Sequence, residues 1–143
     1  MGHGSYTASD WSSLRNSRRL VRDNEVEDIF VRKEEYTRYK QKLVPSREAR
    51  DSEDSPNSTP IIIGFDVTSS MGYLAKELAV NAMNKCVMSL IDKKVVQNPQ
   101  ILCAAIGDVK SDETPLQVTQ FESDIRIIKQ LTRLYLEGGG GGN

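Results

Sequence analysis

The chain has 143 residues, and its 19 basic and 20 acidic side chains leave a formal net charge of −1. Such a balance gives no support to a nucleic-acid or membrane surface built on bulk charge, so binding to either is not expected. The apolar runs are too short for a transmembrane helix, and the N-terminus lacks the apolar core of a secretory signal. Two cysteines in apolar segments suit a cytoplasmic protein. The single histidine is His3, which excludes histidine-rich zinc sites and most histidine-based catalysis. Chemistry in this chain must therefore use carboxylates, hydroxyls and the backbone.

Hydrophobic residues are distributed unevenly along the chain. They make up 16 of the 59 residues in 1–59 but 38 of the 84 residues in 60–143. The first part is too polar to bury a core of its own, whereas the second part can do so. A polar segment rich in Ser, Pro and Asn ends the first part. We therefore predict a polar, mostly helical arm and linker over 1–59, followed by a folded domain over 60–143.

The N-terminal arm is predicted to contain two helices. The first runs from Asp10 to Leu20. The second begins at Asn24 as the N-cap, with Glu27 at the capping-box position, and continues to Lys42. Its tyrosines stand beside basic residues, which is one pattern of a nucleic-acid surface. Acidic neighbours favour the alternative, an amphipathic helix that docks on the main domain.

Strands and helices alternate in the second part. The continuous apolar run at 60–65 is typical of a strand that is covered on both faces, and the alternation at 116–121 is typical of a half-exposed edge strand. The fold class is therefore α/β, a Rossmann-like parallel sheet with one antiparallel edge strand and helices on both faces, preceded by the helical arm. Cys86 and Cys103 lie in apolar segments and are predicted to be reduced core thiols. The predicted elements are strands at 60–65, 101–106 and 116–121 and helices at 72–93 and from Ser123 to Gly138.

Three oxygen-bearing side chains follow the first predicted strand at alternate positions, namely Asp66, Thr68 and Ser70. An extended loop turns alternate side chains the same way, and ligands of α/β sheets bind at the carboxyl ends of strands. One carboxylate and two hydroxyls suit Mg²⁺, which takes six oxygen ligands and keeps several waters. These residues are therefore predicted metal ligands, and an Asp or Glu of a partner protein can fill an open position. Capping of the next helix by Ser69 or Ser70 is an alternative that can coexist with metal binding.

Asp108 follows the second predicted strand, which neighbours the first in this topology. One interpretation places Asp108 in the outer shell of the metal site. The other makes it a turn residue in the segment 107–110, and the sequence supports both interpretations equally.

Asp66, Thr68 and Ser70 after an apolar strand resemble the metal-ion-dependent adhesion site, D-x-[ST]-x-S, of von Willebrand factor A domains. The resemblance covers 60–143 and includes the order of helix, strand, edge strand, helix and glycine-rich loop. It looks like the A-type domains of uncharacterised bacterial and phage proteins, which often carry D-V-T-G-S-M; here Ser69 takes the place of the glycine. The resemblance implies a protein-binding module that depends on Mg²⁺ or Mn²⁺, rather than an enzyme.

This chain departs from that family at the later metal loops. The second loop of the family usually supplies a threonine, whereas the matching stretch here is 138–143, and Asn143 is expected to offer a carbonyl oxygen in the outer shell instead. The third loop, which bears an Asp, lies beyond residue 143. Both departures bear on the affinity for the metal.

A different enzyme class fits some of the same residues. Haloacid-dehalogenase-like phosphotransferases carry an Asp nucleophile at a strand end, and D-K-T-G-T in their ATPase branch resembles the segment 66–70. Asp108 and Asp112 also resemble their late acidic motif, G-D-x-x-x-D. In this alternative Asp66 attacks a phosphoryl group while the other two carboxylates hold Mg²⁺. Only one helix separates the motifs, which leaves no room for the strand and lysine that the mechanism needs.

A third alternative is a structural or interaction fragment without metal, in which the glycine run at 138–142 is a flexible linker. The length of the predicted domain bears on all three alternatives. Its 84 residues are about half of what a complete doubly wound domain needs, so the chain is expected to be truncated at its C-terminus. The first strand would then form an open edge that invites a protein partner or self-association.

Overall fold

A computed structural model describes residues 6–18, 20, 29–40, 46–68 and 71–137 of the chain. Within them lies a mixed α/β arrangement of a small three-stranded sheet and several helices. The elements are α1 (Ala8–Arg18), α2 (Lys33–Lys40), β1 (Thr59–Asp66), α3 (Gly72–Glu77), a π-helical segment (Leu78–Ala82), α4 (Met83–Asp92), β2 (Pro99–Ile106), β3 (Leu116–Val118) and α5 (Arg126–Leu131).

The sheet has the strand order β1-β2-β3. β1 and β2 pair in parallel over eight residues, from Thr59 beside Pro99 to Asp66 beside Ile106. β3 pairs antiparallel with the end of β2, as predicted for the edge strand, although it ends at Val118 rather than at 121. The parallel pair and the helical connection between its strands confirm the α/β class at this level.

The connection between β1 and β2 is the long helix that the apolar spacing predicted. Its buried side chains recur every four residues at Ala75, Ala79, Met83 and Val87, which lie at most 1% exposed. The π-helical segment in its middle widens one turn, so that Val80 is buried beside Ala79. The predicted apolar stripe is only partly buried, because Met83 and Val87 lie in the core whereas Leu74 and Leu78 are half-buried and Cys86 is exposed. Apolar spacing also carries no signal for the wider turn.

The prediction that the first strand is covered on both faces is wrong. Exposure alternates along β1, and Ile62 is 66% exposed while Phe65 is buried. β2 is the strand that is covered on both faces, with seven consecutive positions from Gln100 to Ile106 of which only Ile106 is exposed. A run of isoleucines is compatible with either environment, because apolar content alone does not show what lies over the second face.

The prediction of helices on both faces is not met in the described part of the chain. Core side chains of the helices pack on the face that carries Phe65, Ile101 and Cys103. On the opposite face the cluster around Leu102 and Ala104 is covered by Phe121 and Ala49, neither of which is helical. Among the described residues the sheet therefore has one helical layer, and irregular chain covers its other face only over β2.

The N-terminal arm contributes directly to the main core. Trp11 and Leu14 of α1 belong to the same buried cluster as the helical face of the sheet, as do Tyr6 and Leu20. The Tyr6 hydroxyl donates a hydrogen bond of 3.0 Å to Asn84 Oδ1, and burial, followed by the nearby Asp10 charge, raises the pKa of Tyr6 strongly. The division between 1–59 and 60–143 stays a prediction, but the arm supplies apolar side chains to the core of the second part.

The predicted helix from Asn24 to Lys42 is wrong as a single helix. Residues 30–32 are not helical, and α2 begins only at Lys33. Residues 21–28, including Asn24 and Glu27, and residues 41–45 lie outside the described residues. The buried Phe30 interrupts the polar arm here. In α2 the ring of Tyr36 is buried, with its centroid 6.4 Å from that of Tyr135, which agrees with a docked helix rather than an exposed basic-aromatic surface.

The two cysteines differ in their environments. Cys103 on β2 is buried, and burial followed by the influence of Cys86 raises the pKa of its thiol to about 12. Cys86 is exposed, so the prediction that both thiols lie in the core is wrong for this residue. It lies on α4, one position before the buried Val87 and outside the buried stripe of the helix.

Buried glutamine side chains hold irregular chain segments against the sheet. Gln100 on β2 accepts the N–H of Arg50 at 3.0 Å and donates to its carbonyl at 2.7 Å. Gln117 on β3 does the same for Tyr135, at 3.0 and 2.5 Å. Each glutamine side chain thus accepts from a backbone N–H and donates to a backbone C=O, as a residue of a neighbouring strand would.

The pairing of Gln117 with Tyr135 also bears on the last helix. We predicted a helix from Ser123 to Gly138, but α5 ends at Leu131 and is followed by a turn at 132–133. The backbone of Tyr135 then hydrogen-bonds to a strand side chain, which is incompatible with continued helix. Leu134 is still buried in the main core, although it is not helical.

We predict that Gln117→Ala lowers the free energy of unfolding by about 2–4 kcal/mol, because it leaves the N–H and C=O of Tyr135 without partners. The exposed Gln97 is the matched control, and Gln97→Ala is expected to change stability by less than about 0.5 kcal/mol. Urea unfolding followed by circular dichroism measures both variants. Equal effects of the two substitutions would contradict this role of the amide.

Candidate metal site at the end of the first strand

Asp66 is the last residue of β1 and lies beside Ile106, the last residue of β2. The pairing extends one step further, because the N–H of Val67 donates to the carbonyl of Ile106 at 2.9 Å. Val67 is 3% exposed and anchors the chain there, whereas Asp66 on the other side of the strand is exposed. The carboxylate therefore stands at the carboxyl edge of the parallel pair, as predicted.

Asp66 and Thr68 are joined by two hydrogen bonds. Oδ1 of Asp66 accepts the N–H and the hydroxyl of Thr68, both at 2.7 Å. The hydroxyl bond is the main cause, and the amide bond the second, that lowers the pKa of Asp66 and keeps the carboxylate ionised. The Thr68 hydroxyl donates its hydrogen bond to Asp66, so the lone pairs of its oxygen remain available to another ligand. Oδ2 of Asp66 receives no hydrogen bond from the described residues.

Helix α3 begins at Gly72, shortly after the segment that carries the predicted ligands. The N–H of Met71 donates to the carbonyl of Thr68 at 2.7 Å, and Met71 itself is the N-cap of α3, with no hydrogen bond from its side chain to the helix. The alternative in which Ser69 or Ser70 caps this helix concerns residues outside those described and stays a prediction. Ser70 as a metal ligand lies outside the described residues, together with Ser69.

A shallow cavity of about 260 Å³ lies beside this carboxylate. Asp66 and Thr68 line one side of it, and Ile106 and Gly107 line the other. Asp108 is not among the lining residues. The cavity thus joins the ends of β1 and β2 and leaves space for a small ion with its waters.

Asp108 and Asp112 form a turn after β2. Asp108 Oδ1 accepts the N–H of Lys110 at 2.8 Å, and the N–H of Asp108 donates to Asp112 Oδ2 at 2.8 Å. These bonds agree with the interpretation of Asp108 as a turn residue. Each of the two acidic residues uses one carboxylate oxygen to accept a backbone N–H. Oδ1 of Asp112 is buried and has no hydrogen-bond partner in the described residues. Asn143, the other predicted outer-shell residue, lies outside the described residues.

Within the described ranges, no three His, Cys, Asp or Glu side chains come together in a way that suits a metal ion. This observation concerns clusters of imidazole, thiolate and carboxylate ligands, whereas most ligands of the predicted site are hydroxyls. None of the described helices is both long and apolar enough to cross a bilayer. Comparisons with protein-family models, with curated proteins and with solved structures find no match for this chain. The assignment of the site therefore depends on its own residues.

Gly107 is a residue whose role at this edge the sequence analysis missed. A Cβ atom there would collide with the carboxylate of Asp112 and lie 3.6 Å from Cα of Pro115. The N–H of Gly107 donates to the carbonyl of Pro115 at 2.7 Å, which brings the chain before β3 close to the end of β2. The spacing of Gly107 and Asp112 was visible in the sequence, but only as part of an enzyme motif.

We predict that Gly107→Ala lowers the free energy of unfolding by about 1–3 kcal/mol, because the added methyl displaces a carboxylate that the N–H of Asp108 holds in place. Gly64→Ala is the matched control. Its Cβ would lie 3.5 Å from Cδ1 of Ile106, an ordinary contact, and a strand prefers alanine over glycine. Urea unfolding of both variants is the measurement.

Removing the carboxylate tests the cause of this effect. Asp112→Ala in the background of Gly107→Ala relieves the collision, so the double variant is expected to lose less stability than the sum of the two single variants. Strict additivity would show that the collision with Asp112 is not the cause.

Proposed function

We propose that this chain is a protein-binding module that depends on a divalent metal ion, with a von Willebrand factor A-like fold and its metal at the end of β1. The observation that carries the proposal is the pair of Asp66 and Thr68, held together at the carboxyl edge of a parallel strand pair. Both residues belong to the D-x-T-x-S motif. The parallel β1-β2 pair, the long connecting helix and the antiparallel β3 are compatible with this fold.

The donor atoms fit a hard cation. Asp66 contributes an ionised carboxylate with one oxygen that no described residue occupies, and Thr68 contributes a hydroxyl oxygen whose proton already points to Asp66. In the proposal Ser70 supplies the third protein oxygen. Mg²⁺ and Mn²⁺ favour six oxygen ligands, so the remaining positions are open to water and to a carboxylate of the partner protein. A metal bound there supplies positive charge for that carboxylate.

The surface around Asp66 supports a protein partner rather than a small substrate. Ile106 beside it is 50% exposed, and Ile62 and Leu116 on the same face of the sheet are 66% and 61% exposed. A contiguous apolar face next to a charged centre is typical of a protein interface. An acidic side chain of the partner would reach the metal while its apolar neighbours cover these residues.

The experiment is a titration of Mg²⁺ and Mn²⁺ by calorimetry with a matched pair of variants. Asp51 Oδ1 accepts the N–H and the hydroxyl of Ser58, at 2.8 and 2.6 Å, so it has the same local chemistry as Asp66 at the opposite end of β1. Asp66→Asn is expected to weaken metal binding about tenfold or more, because it removes the ligand charge. Asp51→Asn is expected to leave it unchanged.

Two outcomes would contradict the metal site. The first is the absence of any heat of binding in the unmodified chain at millimolar metal. The second is equal weakening by Asp51→Asn and Asp66→Asn, which would show only general screening of surface carboxylates. Thr68→Val tests the hydroxyl separately, and its effect is expected to be smaller than that of Asp66→Asn because a neutral ligand is lost.

Self-association through the free edge of β1 is also part of the proposal. In the described residues β1 pairs only with β2. The N–H groups of Thr59 and Val67 point to β2, so alternation turns those of Ile62 and Gly64 away from it. Exposed apolar side chains and unpaired backbone groups on one edge favour pairing with another chain.

We predict that light scattering shows a mass that increases with protein concentration and that Ile62→Lys abolishes this increase, because a charge on an edge strand opposes pairing. Val95→Lys is the control, since Val95 is 64% exposed but belongs to no strand, in the segment after α4. A monomer at every concentration, or equal effects of both variants, would contradict pairing through β1.

A further inference from the structure

A second cavity lies at the opposite end of the strand pair from Asp66. It has a volume of about 670 Å³, within the range of ligand-binding pockets. Two loops form most of it, 54–57 before β1 and 94–99 before β2, and the side chain of Asn98 joins them by donating to the carbonyl of Pro56. Tyr6 of the arm, Ile91 and Ser123 complete the wall. None of these residues belongs to the metal site.

Several residues that line this cavity have an unusual backbone conformation. The three non-glycine residues with positive φ in the described part of the chain all line it, namely Asn57 at 52°, Lys94 at 48° and Asn98 at 41°. Asparagine tolerates this left-handed region, but lysine does not favour it. Strained residues of this kind concentrate at binding and active sites.

Lys94 occupies the position after a helix that glycine usually fills. Its N–H donates to the carbonyl of Ile91 at 3.2 Å, and the N–H of Val95 donates to that of Leu90 at 3.4 Å, which together form the left-handed end of α4. Glycine adopts this conformation without strain. Lys94 therefore keeps a strained backbone that glycine would relieve, and it brings a charged side chain to the lining of the cavity.

Ser55 gives a second, independent sign of a ligand. It is 3% exposed and lines the cavity, and its hydroxyl oxygen has no hydrogen-bond partner in the described residues. Its backbone, in contrast, is hydrogen-bonded on both sides to Ser52. A buried hydroxyl without a partner is costly, whereas a ligand with peptide groups can supply one after the hydroxyl rotates.

The remaining lining residues indicate the chemistry of that ligand. Asp54 and Lys94 carry opposite charges, and neither forms an ion pair with a described residue. The amide side chains of Asn57 and Gln97 lie in the same lining and can both donate to and accept from peptide groups. Ile91 and Val96 supply apolar surface.

We propose that this cavity binds a short peptide with free termini. Lys94 receives the terminal carboxylate, Asp54 the terminal ammonium group, and the amides and Ser55 hydrogen-bond the peptide groups between them. The apolar lining accommodates an aliphatic side chain. This binding goes beyond the proposed metal-dependent function and requires no metal.

The test is an NMR titration of the full chain with the tripeptide glycyl-leucyl-glycine in the presence of EDTA, which separates it from the metal site. Chemical-shift changes are expected in the amide signals of Ser55, Gln97 and Val96 at millimolar peptide. The same tripeptide with acetylated and amidated termini is expected to bind about three- to fivefold more weakly, because exposed ion pairs contribute modestly. No shifts in these signals, or equal binding of both peptides, would overturn the proposal.

Matched pairs of variants test which charged side chain receives each terminus of the peptide. Lys94→Met keeps an unbranched side chain in the left-handed position and is expected to weaken the tripeptide about three- to fivefold, whereas Lys93→Met, one residue earlier and outside the lining, is expected to have no effect. Asp54→Asn and Glu53→Gln form the corresponding acidic pair. Equal effects within either pair would overturn the assignment of the termini.

A stability measurement separates a role in binding from a structural role. Lys94→Gly is expected to raise the Tm of the free chain while weakening the tripeptide, because glycine relieves the strain and removes the charge. Ser55→Ala is expected to leave the Tm unchanged or raise it, and also to weaken binding. A clear fall in Tm for both variants, with peptide affinity unchanged, would show that the two residues serve the fold alone.

Discussion

The parallel pairing of β1 with β2 is the constraint on which the rest of the described structure depends. Two parallel neighbours need a long connection, and the helical segment from Gly72 to Asp92 provides it while burying one face of both strands. Parallel strands also bring like ends together. Both strands end at the small cavity beside Asp66 and begin at the 670 Å³ cavity, so the residues that line each cavity come from segments that the pairing brings together.

Glutamine side chains extend the hydrogen bonding of the three-stranded sheet to irregular segments of the chain. Gln100 and Gln117 pair with the backbones of Arg50 and Tyr135, so that irregular segments are hydrogen-bonded to the sheet as strands would be. Gln130 adds a third link, accepting the N–H of Gln120 and donating to Glu122. Buried amides satisfied in this way fix the position of a segment more narrowly than apolar contact does, because an unpaired amide or backbone group is costly.

The parts that could be predicted from the sequence depend on periodicity and on strand ends. The helical spacing of Leu74, Leu78, Met83 and Val87 indicated the long helix, although Ala75 and Ala79 are buried more deeply than the two leucines. The position of Asp66 after an apolar run indicated a carboxylate at the end of a strand. The one-sided burial of β1 could not be predicted, because isoleucines suit both a covered and an open face. The end of α5 could not be predicted either, because the hydrogen bonds of Gln117 to Tyr135 join residues that are 18 positions apart and leave no local pattern in the sequence.

The central claim is that a divalent metal binds beside Asp66. Paramagnetic broadening by Mn²⁺ in NMR spectra tests it most directly, because broadening depends on distance from the ion and needs no substitution. At substoichiometric Mn²⁺ we expect the amide signals of residues 66–72 and 106–108 to broaden first, and those around the chemically similar Asp51 to remain sharp. Broadening that begins at Asp51, or that is spread evenly over all exposed carboxylates, would contradict the proposed site.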